Sequence, residues 1–152
     1  MKTPTAHPAH VLVACDFSDA SNEAIRQADA WARRCDAKLD AVHVVPDVVG
    51  ANPMFPQTAS RDAATQIELE KEAIDALTAR ISELTGRRSE DVHVRARTGA
   101  PDASIVREAE SVGAELIVVG ATGHTGLTRL FLGSTAERVA RLGVEGDGGR
   151  GV

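Results

Sequence analysis

At 152 residues the chain is sized for one domain with an ordinary buried core. Its 43% apolar content comes mostly from Ala, Val, Leu and Ile, with aromatics at 3%, which suits helices packed on a buried parallel sheet. A net charge of −5 gives no electrostatic footprint for nucleic acid or an anionic membrane, and no run of apolar residues is long enough for a membrane span.

The N-terminal residues lack the apolar core of a signal peptide, so a cytoplasmic location is expected. His7, Pro8 and His10 read as tail rather than metal site, with residues 1–8 outside a domain spanning 9–142. Val11–Cys15 is a short apolar run fit for a fully buried strand. Ser18 or Asp19 then caps a helix whose apolar positions Ala20, Ala24, Ala28, Trp31 and Cys35 recur at helical spacing. Cys15 and Cys35 fall at opposite ends of this strand–helix unit, so no disulfide is expected, and two cysteines are too few for a zinc or iron–sulfur site. Leu39–Val45 is a second strand, ended by Pro46. Residues 46–58, with Pro53, Pro56, Gly50 and Asn52, read as a loop. A long amphipathic helix follows, marked by Ile67, Ile74, Leu77, Ile81 and Leu84 and stopped by Gly86. Val92–Ala96 is a third strand. Pro101 opens a third helix, with Ile105, Ala109 and Val112 inward, that runs up to Gly113. Leu116–Val119 is the fourth strand and Gly133–Leu142 the fourth helix.

Strands alternating with helices predict an α/β fold: a single open parallel sheet, helices on both faces, and right-handed crossovers. Ligands of such sheets bind beyond the carboxyl ends of strands at a topological switch point. Asp16 and Gly120 end strands one and four, and in the order 3-2-1-4 they flank that switch. The segment Gly143–Val152 carries five glycines in ten residues and is expected to be disordered, which leaves the sheet without a fifth strand.

Directly after the fourth strand the chain reads Gly120-Ala-Thr-Gly123, a nine-residue excursion, then Gly133-Ser134-Thr135. Glycines let the backbone take φ > 0 and approach a ligand closely, and the helix N-terminus that follows adds unpaired N–H groups. Ser134 or Thr135 can cap that helix and donate to a phosphate oxygen. Turn chemistry plus a helix cap is the purely structural alternative. The spacing Gly120-x2-Gly123-x9-Gly133-Ser134 resembles the ATP-binding branch of the universal stress protein family. Val11–Asp19, with its Asp16-Phe17-Ser18 turn, Ala41–Val45, and Gly99-Ala100-Pro101 are similar to further segments of that family in the same order, covering roughly residues 10–142.

The resemblance implies a fold of the adenine nucleotide α-hydrolase-like kind and a bound ATP, with Mg²⁺. It places the phosphates on Gly120, Gly123, Gly133, Ser134 and Thr135, with Thr122 lining the loop, and puts adenine against the backbone of Val44. Ala14 and Cys15 border base and ribose. Asp16 can accept from ribose hydroxyls or hold a Mg²⁺ that bridges phosphates, and its structural alternative is an Asx turn or helix cap. His124 is read as a loop residue, Arg129 as γ-phosphate contact or exposed excursion residue, and His43 and His93 as strand-borne residues without function. The resemblance also implies a homodimer, although the tail lacks the strand that pairs subunits in many relatives.

The expected function is an ATP-binding stress or regulatory module, not an enzyme. The alternatives are a slow ATPase or adenylyl-transfer enzyme of the same superfold, and a nucleotide-free interaction protein. A P-loop is excluded because no lysine follows Lys71, and no base or charge clamp for a transition state stands out.

Overall fold

β1 (His10–Ala14), β2 (Lys38–Val45), β3 (His93–Thr98) and β4 (Leu116–Val118) pair in parallel in the order β3-β2-β1-β4. Three helices connect them: α1 (Asp19–Cys35), α2 (Ala59–Thr85) and α3 (Pro101–Val112). The structure is a computed structural model and describes residues 7–45 and 59–121. The expected loop at 46–58, the phosphate-loop residues from Thr122 onward, the fourth helix and the glycine-rich tail lie outside the described residues.

Because strand side chains alternate, each strand feeds two cores. Val11 and Val13 of β1 and Leu39 and Ala41 of β2 pack with Ala24, Ile25, Ala28 and Ala32 of α1 and Leu77 and Ile81 of α2. Leu12 and Val42 point the other way, onto Ile105 and Ala109 of α3, with Ala14, Val44 and Ile117 alongside. Both faces of the sheet are therefore covered, as parallel strands require. Among the described residues no helix is long and apolar enough to cross a membrane.

The helix ends follow from local chemistry. Ser18 is the N-cap of α1, its hydroxyl accepting from the Ser21 amide at 3.2 Å. Asp36 closes that helix in the left-handed region at φ 53°, and Gly113 closes α3 at φ 71°. Gly86, at φ 72°, follows the last residue of α2.

Two helix faces differ from the sequence expectation. The buried side of α1 is Ser21, Ala24, Ile25, Ala28, Asp29 and Ala32, while Trp31 is 43% exposed and lies 6.0 Å from the Arg34 guanidinium. Ala24 and Ala28 belong to both candidate stripes, and the aliphatic bulk of Ile25 turns the helix away from Trp31. In α2, Ile81 is buried, Ile74 half-buried and Ile67 is 69% exposed. A seven-residue repeat drifts about 20° per heptad on a straight helix. The inward stripe instead runs through Ala73, Leu77 and Ile81. β3 begins one residue later and ends two residues later than the apolar run indicates, because Arg97 and Thr98 continue the ladder against Val44 and Val45.

His10 is the first residue of β1 rather than tail. Its Nε2 lies 2.5 Å from Asp40 Oδ2, at the amino end of the sheet and on the α3 side. Arg95 Nη1 approaches Asp40 Oδ2 at 3.7 Å and Glu108 Oε1 at 3.3 Å, and Arg97 Nε donates to Glu108 Oε2 at 2.6 Å. This chain of polar and charged groups lies on the α3 face beside the apolar cluster.

Candidate functional site

The strand order reverses between β1 and β4, so their carboxyl ends form the crevice in which such sheets bind ligands. The last ladder bond on leaving β1 runs from the Cys15 amide to the Val42 carbonyl, 3.0 Å. The next three residues then reverse direction to start α1. Asp16 Oδ1 accepts the Ser18 amide at 2.9 Å and also the Ser18 hydroxyl. That is an Asx turn, and it feeds directly into the Ser18 cap. The reversal needs Phe17 at φ 64°, a left-handed conformation that costs an ordinary residue free energy.

Cys15 is buried beneath this turn, its Sγ 3.4 Å from Ser21 Oγ and 3.3 Å from the Phe17 amide. Burial pushes its thiol above the ordinary range, more than its hydrogen bonds with Ser21 and the Phe17 amide pull it down. A thiol so placed is a packing group, not a nucleophile. Both cysteines are free.

Gly120, on the far side of the crevice, comes against the first turn of α1. A Cβ built there would stand 3.0 Å from the Ala20 carbonyl carbon and 3.0 Å from the Ser21 amide nitrogen. Its φ is not positive. Of the two uses expected of a glycine here, a positive φ and a close backbone approach, Gly120 has the second, with α1 as the neighbour it approaches. That approach sets the end of β4 against the helix that the Asp16 turn opens.

Of the residues singled out from sequence, the fold brings Ala14, Cys15, Asp16, Val44 and Gly120 to this carboxyl end. Thr122, Gly123, Gly133, Ser134 and Thr135 lie outside the described residues, as do His124 and Arg129. The Val44 side chain packs beside Ala14 against the α3 core. Among the described residues no group of three or more His, Cys, Asp or Glu could hold a metal by itself.

His43, read from the sequence as a strand-borne residue without function, reaches this turn. His43 Nδ1 lies 2.7 Å from the Cys15 carbonyl oxygen, and its ring sits 4.8 Å from that of Phe17. The available signal was its place: in β2 it shares a face with Leu39, Ala41 and Val45, and a polar side chain on such a face needs a partner.

A four-stranded parallel α/β domain with its crevice at the β1/β4 switch point is the class this fold defines. The description "Universal stress protein family" matches residues 9–143. Universal stress protein MJ0531 of Methanocaldococcus jannaschii is 34% identical over 131 residues, covering 86% of this chain and 75% of that protein. Universal stress protein A homolog 1 of Coxiella burnetii is 34% identical over 139 residues, covering 90% and 91%. Among solved structures, UspA from Lactobacillus plantarum superposes with a TM-score of 0.71 at 28% identity, covering 90% of this chain and 93% of that one. A universal stress protein in complex with cAMP superposes at 0.55 and 26% identity, covering 90% of each chain. The chain belongs to the universal stress protein family.

Proposed function

We propose that this universal stress protein binds an adenine nucleotide, ATP with Mg²⁺, in the β1/β4 crevice and acts as a regulatory module rather than an enzyme. The observation that carries the reading is that the Asp16 turn leads into α1 at the switch point while Gly120 packs against the first turn of that helix, Gly120 being the first glycine of Gly120-x2-Gly123-x9-Gly133-Ser134. Backbone donors of that loop suit the phosphates of a ligand bound by an acidic chain. Asp16, already oriented by Ser18, offers a carboxylate to ribose hydroxyls or to a Mg²⁺ shared with the phosphates. Magnesium would supply charge neutralisation there. The backbone of Val44 is the edge available to adenine, and Ala14 and Cys15 border it.

The complex of a relative with cAMP favours adenine nucleotides as a class and gives a second reading, a cyclic monophosphate bound without Mg²⁺. Differential scanning fluorimetry separates the two. ATP–Mg²⁺ at ~100 times its dissociation constant adds about 2.7 kcal/mol, an upward shift of about 5–10 °C for a domain of this size. cAMP raising the midpoint more than ATP does would favour the second reading, and no shift with either would refute both. Gly123→Val is expected to abolish the shift while leaving the circular dichroism spectrum unchanged. Phosphate release is expected to stay near one equivalent per chain over an hour.

A further inference from the structure

We propose that His43 is the positioning residue of the crevice: it holds the Cys15–Ser18 turn in the one conformation that presents Asp16. The consequence for nucleotide affinity rests on the reading above, whereas the claim about the turn does not.

The turn has an unfavourable step at its centre, because Phe17 is a bulky residue in the left-handed region. Such a conformation persists only where the surroundings over-determine it. Local bonds supply part of that constraint: Asp16 Oδ1 accepts from the Ser18 amide, and Ser18 Oγ accepts from the Ser21 amide. All of these partners lie within six residues and move together with α1. His43 is different, because it belongs to β2 and is separated from Cys15 by 28 positions. Its ring contacts the turn twice, through the 2.7 Å bond to the Cys15 carbonyl and through the face of Phe17 at 4.8 Å and a 55° tilt. It therefore ties the turn to the sheet.

A carbonyl oxygen can only accept, so Nδ1 must carry the proton. The backbone supports this arrangement. The Cys15 amide already donates to Val42, the residue before His43, so both groups of Cys15 are held by adjacent residues of β2. From Cys15 the constraint passes through the Asp16 carboxylate to Ser18 and on to the first turn of α1.

The test has two arms. Long-range proton–nitrogen NMR of the wild-type protein at pH 8, with the His43 signals assigned by their loss in H43N, is expected to show the proton on Nδ1. A proton on Nε2 would overturn the proposal without any ligand or folding assumption. The second arm compares ATP–Mg²⁺ affinity by calorimetry. H43L fills the space but cannot donate, and is expected to bind at least fivefold more weakly. H43N, whose amide nitrogen can stand close to the place of Nδ1, is expected to stay within about twofold of wild type. H43L binding like wild type, or H43N binding as poorly as H43L, would refute the positioning role. If wild type binds no ATP, the nucleotide reading fails instead. The tautomer, together with the Phe17 and Ser18 amide shifts of H43L against H43N, then decides the claim about the turn.

Discussion

Between the sheet and α1/α2 the packing is aliphatic, with Val11, Val13, Leu39, Ile25, Leu77 and Ile81 almost entirely buried. On the opposite face, Leu12, Val42, Ile105 and Ala109 form a smaller apolar cluster. Beside it runs a line of polar and charged groups from His10 through Asp40, Arg95 and Glu108 to Arg97. The side chains of Asp40 and Glu108 are only 3% and 2% exposed. Among the described residues, Asp40 Oδ1, Arg95 Nη1 and Glu108 Oε1 have no hydrogen-bond partner. The first face is held by volume, and its stability follows the area removed from water. The second is held by pairing, where desolvation offsets much of the attraction and the gain is in which groups meet.

The largest expected effect tests the aliphatic face. Leu77→Ala deletes a fully buried side chain and is expected to cost about 2–5 kcal/mol in urea unfolding, transfer and cavity together. Glu108→Ala probes the ionic face. It strips both arginines of their buried partner, and because Arg95 and Arg97 are partly exposed they can turn to water. A loss of about 1–3 kcal/mol is expected, below that of Leu77→Ala. If Glu108→Ala costs more than Leu77→Ala under the same conditions, the contrast drawn between the faces is wrong.

Gly120→Ala sharpens the comparison where β4 meets α1, because the new methyl has backbone and not a flexible side chain to displace. A loss of about 1–3 kcal/mol is expected, with a weaker ATP shift. Unchanged stability would show that the two elements are free to separate.

The smallest effect concerns Cys15, which keeps its proton in the folded state to higher pH than in the unfolded chain. The stability linked to this group is therefore complete below the ordinary thiol pKa and declines as pH rises past it. Iodoacetamide at pH 8 is expected to modify the half-buried Cys35 well before Cys15. Mass spectrometry finding Cys15 labelled first would contradict the packing under the turn.

Strand order, alternation of strands and helices, a cap at Ser18 or Asp19 and the helix stops at Gly86 and Gly113 were legible in the chain. The order comes with the family resemblance, whereas the elements and their ends depend on periodicity and on conformational preferences that act over a few residues. The place of the candidate crevice was legible too, since the ends of strands one and four meet in any sheet of that order. The rotation of α1 that exposes Trp31, the drift of α2 that exposes Ile67 and the burial of Asp40 and Glu108 were decided by the tertiary structure. So was the part played by His43. A helical pattern admits neighbouring stripes until a sheet selects one. A charged residue reads as a surface residue until its partner arrives across the fold, as Arg95 of β3 does for Asp40 of β2 and Glu108 of α3. Gly120 shows both halves at once: its position marked the end of a strand, but only the approach of α1 gives the reason for a glycine there.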